Sequence, residues 1–215
     1  MQQRNKTVKR GRGRPQTRPD EVTRQLIHEA ARQEFLSNGY ATTSMEAVAA
    51  RAGISTKTLY RLIPTKAELF EGMVTARLDA FFSKITADTV DSADLASALE
   101  TMLIDCAGLT LDREVLGVHR LVISESDRFP ELAHAFYKEG IRRVPIAMAE
   151  WLALQCKRGA LCLEDPKAAA GMLLGMMISE PQRAAILRQG NPLSGEAMRK
   201  RARACAQLFL KGCIA

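Results

Sequence analysis

The stretch from Thr42 to Leu62, TTSMEAVAARAGISTKTLYRL, constrains the fold more than any other part of the chain. Met45 to Arg51 is spaced as one short amphipathic helix, Gly53 marks a reversal, and Ser55 to Arg61 is spaced as a second helix, which is the layout of a helix-turn-helix. Val48, Ala49, Ala52, Ile54, Leu59 and Leu62 fall on the sides expected to be buried. Ala49 is placed where the helices cross, and Gly53 is expected to need a positive φ. Ser55, Thr56, Lys57, Thr58, Tyr60 and Arg61 are left for a partner. These side chains are hydroxylated or cationic and suit phosphate oxygens and base edges, whereas an ordinary helical hairpin with a glycine corner has no need of such a face.

At 215 residues the chain is long enough for this small module and one larger helical domain. Apolar residues make up 47% and aromatics 5%; Ala, Leu and Met are plentiful, while Val, Ile and Thr form no alternating runs. An all-α fold of nine or ten helices is expected. Residues 1 to 20 hold seven of the 31 basic and one of the 24 acidic side chains, so nearly all of the net charge of +7 belongs to the tail. A body near neutrality does not bind polyanions over its whole surface. The cysteines, Cys106, Cys156, Cys162, Cys205 and Cys213, are odd in number, lack Cys-x-x-Cys spacing and follow no secretory signal. They read as reduced thiols of a cytoplasmic protein, with redox sensing as the other use for an exposed thiol of low pKa. The longest strongly apolar run, Ala168 to Ile178, is about half a membrane span, and no targeting or transmembrane segment is expected.

Residues 1–19 are polar, cationic and rich in Gly and Pro, with nothing to bury, and are expected to form a disordered basic arm. Within it Lys9 to Pro15, KRGRGRP, resembles the core of an AT-hook, with Arg12 and Arg14 as candidate DNA contacts. A narrow A·T-rich minor groove concentrates negative potential that attracts arginine; nonspecific phosphate contact is the other reading. From Asp20, Val22, Leu26, Ala30 and Phe35 recur at helical spacing until Asn38-Gly39 closes a first helix. Thr42, Thr43 and Ser44 offer N-caps for the next. Pro64 ends the recognition helix, and Thr65-Lys66-Ala67-Glu68 spells a capping box for a long helix carrying Leu69, Phe70, Met73, Val74, Leu78, Phe81, Phe82 and Ile85 on one wide face.

The order and spacing of TTSMEAVA, AGISTKTLY and KAELF resemble the DNA-binding domain of the TetR/AcrR family over residues 20 to 72. Where that family commonly has His-Phe, this chain has Leu62-Ile63; Ile63 replaces the aromatic as packing, but Leu62 cannot hydrogen-bond a phosphate. The resemblance implies DNA contacts from Thr43, Ser55, Thr56, Lys57, Thr58, Tyr60 and Lys66. By their chemistry Tyr60 and Lys66 suit phosphates, Lys57 and Thr58 suit base edges, and Arg61 suits either. The domains expected are the arm (1–19), a three-helix DNA-binding domain (20–64) and a ligand-binding and dimerisation domain (65–215).

Beyond residue 88, Asp94 and Asp112 each begin a helix, the first with Leu95, Leu99, Met102, Leu103, Cys106 and Leu109 inward, the second with Val115, Val118, His119 and Val122 inward. Leu121 to Ala133, LVISESDRFPELA, resembles the C-terminal domain of the AefR-like branch of the same family. Pro130 is placed at a helix start, and Pro145 predicts a kink or restart. Asp165-Pro166 opens a helix whose Ala168, Gly171 and Gly175 form a small-residue strip. Ser179-Glu180-Pro181-Gln182 predicts a break and restart, and the last helix carries a seam of Met198, Ala202, Cys205, Phe209 and Gly212. The strip and the seam, doubled by a two-fold axis, are the expected dimer interface (Gly171, Gly175, Met198, Ala202, Cys205, Phe209).

The family resemblance implies a small-molecule pocket whose occupation moves the long fourth helix. Phe81, Phe82, Met102, His119, Phe136, Trp151 and Met172 are the candidate pocket residues, each of which also reads as plain core. No cofactor is expected; His28 and His134 have no metal-ligand spacing, and no nucleophile-base pair or phosphate loop suggests an enzyme. The expected function is a homodimeric repressor that binds a palindromic operator in double-stranded DNA and is released by a small apolar effector. The alternatives are an effector-independent nucleoid-type binder of A·T-rich DNA and, remotely, an all-α enzyme.

Overall fold

A computed structural model describes residues 18–88, 94–189 and 193–213, and no strand occurs among them. The arm with Arg12 and Arg14, up to residue 17, and the side chains of Ile85 and Cys213 lie outside the described residues. The elements are α1 (Asp20–Asn38), α2 (Met45–Ala52), α3 (Thr56–Leu62), α4 (Lys66–Asp88), α5 (Leu95–Thr110), α6 (Arg113–Glu125) and α7 (Pro130–Ala135), followed by a π-helical segment (Phe136–Ile141), α8 (Arg143–Lys157), α9 (Pro166–Ile186) and α10 (Gly195–Cys213).

Helix starts follow the local chemistry. Ser44, Ser55, Asp94, Asp112 and Asp165 each accept hydrogen bonds from first-turn amides, which satisfies donors that a helix leaves unpaired. The expected box at α4 closes differently. Thr65 Oγ1 accepts from Glu68 N at 3.1 Å, but Glu68 reaches back to the threonine hydroxyl itself. Pro130 is the first residue of α7. Pro145 lies in the first turn of α8, where its missing N–H costs nothing, so the chain restarts there as expected.

Two expectations fail for tertiary reasons, and a third face is covered within the chain. Val22 and Leu26 are 44% and 37% exposed; α1 instead buries Thr23, Ile27, Ala30, Ala31, Glu34 and Phe35. Glu34 is tolerated there because Arg51 and Asn38 donate to its two oxygens at 2.5 and 2.7 Å, and Arg51 holds its carboxyl below the usual carboxylate range. α9 runs unbroken through Pro181, which is buried, and Arg201 from α10 braces the preceding turn by donating to the Met176 carbonyl at 2.9 Å. The α10 seam is already used inside one chain: Ala202, Cys205 and Phe209 are buried in a helix that packs on α5 and α9. Within one chain these three side chains are thus already covered.

Both parts share one continuous core. Ile27, Phe35, Leu59, Leu69 and Phe70 at the helix-turn-helix end are in the same cluster as Leu99, Met148, Leu173 and Phe209. α4 bridges the ends, packing on α1 and also on α7 and the π-helical segment.

Candidate nucleic-acid interface and effector cavity

Gly53 closes α2 in the left-handed conformation, with φ 65° and ψ 36°. Its amide donates to Ala50 O at 3.1 Å and that of Ile54 to Ala49 O at 3.0 Å, a pairing that turns the chain sharply into α3. Ser55 Oγ accepts from Thr58 N at 3.1 Å and lies 2.8 Å from Thr58 Oγ1. Val48, Ala49, Leu59, Leu62 and Ile63 are buried as the pattern predicts, and Ser55, Thr56, Lys57, Tyr60 and Arg61 stand exposed on one face, with Thr58 half-buried. No ion pair joins Lys57 to another described residue.

Several side chains of this face are already engaged. Arg61 makes a two-pronged contact with Asp20, at 2.9 and 2.7 Å, and this contact holds the Asp20 carboxyl below its ordinary range. Arg24 Nη1 donates to Leu62 O at 2.8 Å, so the start of α1 is tied to the end of the recognition helix. Tyr60 Oη donates to Glu46 at 3.3 Å.

Two contacts implied by the family resemblance are placed differently. Thr43 is 3% exposed, with its hydroxyl donating to Gly39 O at 2.7 Å; Thr42 and Ser44 are the exposed hydroxyls at this corner. Lys66 is turned inward. Its ammonium donates to the carbonyls of Tyr40 at 2.8 Å and Thr43 at 2.9 Å and approaches that of Ala41 at 3.4 Å. Burial lowers its pKa. Lys66 thus clamps the α1–α2 loop in the DNA-free chain. Glu125, which the sequence reading did not single out, grips the same loop from its amide side.

A cavity of about 450 Å³ lies within the larger helical part. Its wall comes from Leu78 of α4, Leu109 and Thr110 of α5, Val115 and His119 of α6, Phe136 and Gly140 of the π-helical segment, Val144 and Pro145 of α8, and Gly171, Leu174, Gly175, Ile178, Ser179 and Gln182 of α9. None of its lining residues is Lys, Arg, Asp or Glu. The His119 ring meets Phe136 edge-on with centroids 5.1 Å apart, and Gln182 Nε2 is 3.5 Å from His119 Nδ1. Burial lowers the pKa of His119, which favours a neutral imidazole able both to donate and to accept. A larger cleft of about 800 Å³ between α1 and α4 is open and lined by Glu21, Arg24, Glu68, Glu71 and Asp79, a solvated charged surface unlike a ligand pocket.

Of the seven pocket candidates, the structure brings His119 and Phe136 together in this cavity. Phe81 and Phe82 meet edge-on with centroids 5.4 Å apart, and the Arg143 guanidinium lies 5.1 Å from the Phe82 ring. Met102 is core, Trp151 packs half-buried against the core, and Met172 is 70% exposed. Gly171 and Gly175, expected at a dimer interface, are among the residues that line the cavity. Ser179 and Gln182, expected to cap a new helix, supply polar groups there. Their spacing from Gly171 and Gly175 along one helix face was the available signal. Cys106 and Cys205 are buried, and burial pushes the Cys106 thiol up to about 12. Among the described residues no three His, Cys, Asp or Glu side chains gather as a metal-binding group.

An exposed two-helix reading head joined to a larger helical body with an uncharged cavity is the architecture of a DNA-binding regulator. The sequence matches the family described as bacterial regulatory proteins, tetR family, over residues 27–73, and the AefR-like transcriptional repressor C-terminal domain over residues 97–212. The chain belongs to the TetR family of transcriptional regulators. Among solved structures it is similar to a TetR-family transcriptional regulator from Mesorhizobium loti, at 28% identity and a TM-score of 0.81, covering 93% of this chain and 100% of that one. It is also similar to the flavonoid-responsive regulator FrrA, at 29% identity and a TM-score of 0.75, covering 90% and 98% of the two chains. A TetR regulator from Agrobacterium tumefaciens, at 21% identity and a TM-score of 0.73 over 89% and 95%, shares the fold. No curated protein matches the sequence.

Proposed function

We propose that the chain is a cytoplasmic, homodimeric repressor that binds a palindromic operator and is released when a small, neutral, largely apolar effector enters the cavity. The observation that carries this reading is the double role of α4: Leu78 lines the cavity, and Lys66, three turns earlier, clamps the loop that leads into the helix-turn-helix. A dimer reads half-sites spaced by whole turns of the duplex, about 34 Å each, so a small shift of α4 in each subunit abolishes the match. No described helix is long and apolar enough to cross a membrane.

The uncharged wall favours a ligand without formal charge, and His119, Gln182, Ser179 and Thr110 favour one with a few hydroxyl or carbonyl groups. The glycine wall and the Phe136 ring suit a flat ring system. The flavonoid-responsive relative makes hydroxylated aromatics the first class to try. For the dimer, the outer faces of α9 and α10 replace the buried seam: Met172, Met176 and Leu208 are 70%, 39% and 66% exposed. On this reading residues 20–64 are the reading head and residues 65–215 the sensing and dimerising body.

Footprinting on DNA upstream of the chain's own coding sequence tests the proposal, with and without a panel of neutral hydroxylated aromatics. A palindromic protected site lost on addition of a panel member supports the sensor. Broad A·T-rich protection that no compound alters supports the nucleoid-type binder and ends the repressor reading.

A further inference from the structure

Glu125 closes α6, the helix that lies between the cavity and the DNA-binding head. Three contacts run along the side of α6 that faces α1: Glu114 pairs with Arg32, Gly117 meets Leu36, and Glu125 reaches the loop that follows α1. A Cβ on Gly117 would come within 2.9 Å of Leu36 Cδ2, so the two helices are in close contact there. Val115 and His119 project from another side of α6 into the cavity wall. One rigid helix therefore carries cavity residues and head-contacting residues at once.

The grip at the C-terminal end is specific. The Glu125 carboxylate accepts the Tyr40 amide at 2.9 Å and the Ala41 amide at 3.2 Å. Gly39, at φ 84°, lets it approach, because a Cβ there would lie 3.1 Å from Glu125 Oε1. The carbonyl side of the same loop is held by Lys66, as described above, and the Tyr40 ring meets Phe129 edge-on at 5.0 Å. Glu125 and Phe129 both belong to the stretch Leu121 to Ala133, whose role the DNA and cavity assignments leave unexplained. The loop ends at Ser44, the N-cap of α2, so its position sets where the helix-turn-helix begins.

We propose that Glu125 is a positioning residue for DNA recognition: by holding the Tyr40 and Ala41 amides it fixes the loop that leads into α2, and with it the reading head, to the end of α6. The inference rests on the reading of the chain as an effector-responsive DNA-binding regulator. A carboxylate gripping two amides is a charge-assisted contact, whereas a carboxamide in its place keeps the shape and loses the charge.

The test uses the full-length protein, its Glu125→Gln and Glu125→Ala variants, and naringenin, a flavonoid, as the cavity probe. Backbone hydrogen exchange of Tyr40 and Ala41 is measured without DNA or probe, together with affinity for the upstream DNA fragment and calorimetric affinity for naringenin. The expected result is exchange at both amides faster by about tenfold or more in Glu125→Ala. DNA affinity falls roughly tenfold while probe affinity stays within about twofold of wild type. If Glu125→Ala does not fold, Glu125→Gln carries the test, with the same directions and smaller changes. Unchanged exchange overturns the proposal, as does faster exchange with unchanged DNA affinity, which would leave the contact purely structural. If naringenin does not bind any of the proteins, the ligand class proposed for the cavity fails, while the exchange and DNA measurements still decide the role of Glu125.

Discussion

The Lys66 ammonium donates to the Tyr40 carbonyl at 2.8 Å and also lies 4.5 Å from the centroid of the Tyr40 ring. One residue thus satisfies both the backbone and the ring of another across 26 positions of sequence. Tyr40 is 2% exposed, and burial together with Glu131 and Glu125 raises its hydroxyl pKa to about 12.

Lys66→Met is therefore expected to act first on stability. It leaves the Tyr40 and Thr43 carbonyls without their donor, a loss of about 1–3 kcal/mol by the usual cost of stranding buried polar groups. Urea denaturation should show a lowered midpoint with an unchanged slope. If stability is unchanged and DNA affinity alone falls, Lys66 contacts phosphate after all.

Lys57→Ala is expected to behave differently. Lys57 is exposed on the recognition helix, and no ion pair joins it to another described residue, so its removal leaves the fold intact. A base-edge contact is worth about 1–3 kcal/mol of discrimination. Selection from random operators should yield an altered sequence preference for Lys57→Ala but the wild-type preference for Tyr60→Phe, with weaker binding in both. Identical preferences in all three proteins would remove Lys57 from the base contacts.

The helix-turn-helix was legible because its signals are local. Gly53 terminates α2, Ser44 and Ser55 cap the helices that follow them, and each acts within four residues of itself. The chemistry of Lys66 suits a phosphate and a cluster of carbonyls equally well, and only the folded chain brings the Tyr40 and Thr43 carbonyls to it. Periodicity marks the seam of α10 as a buried face, but does not say whether the covering helix belongs to the same chain. Pro181 shows tertiary packing overriding a local break signal, with the ring buried and Arg201 bracing the turn before it. The strip Gly171–Gly175 signalled close approach, which is equally met by a neighbouring helix or by a ligand.

Acid should loosen the fold in two stages. Burial lowers the pKa of both His28 and His119 from the ordinary 6.5, so over the interval below that value the unfolded chain binds more protons than the native one. Stability contributed by the neutral imidazoles is complete above about pH 6.5 and is lost as pH falls from there through the folded pKa values. The carboxylates held below their ordinary range, Glu34 and Glu29 among them, add their loss only at lower pH. Melting temperatures measured from pH 7.5 down to pH 5 should decline in wild type and more gently in a His28→Gln/His119→Gln double variant. A wild-type curve that stays flat over that range would exclude the first stage.

Gly171→Leu and Gly175→Leu separate the cavity from the dimer interface. A Cβ at Gly171 meets no atom within 4 Å, and one at Gly175 comes no closer than 3.7 Å, to Ser179 Oγ, so α9 accommodates both. Replacing a helical glycine also removes a helix penalty of about 1 kcal/mol. Gly171 and Gly175 line the same cavity as His119 and Gln182, so a leucine at either is expected to narrow it. Both variants are expected to sediment as wild type, melt no lower and bind DNA normally, but to be no longer released by effector. Met172→Asp with Leu208→Asp places two charges on the outer faces of α9 and α10 and is expected to shift sedimentation to the monomer and abolish operator binding. If the glycine variants lose the dimer and the aspartate variant keeps it, the strip is the interface and the outer faces are not.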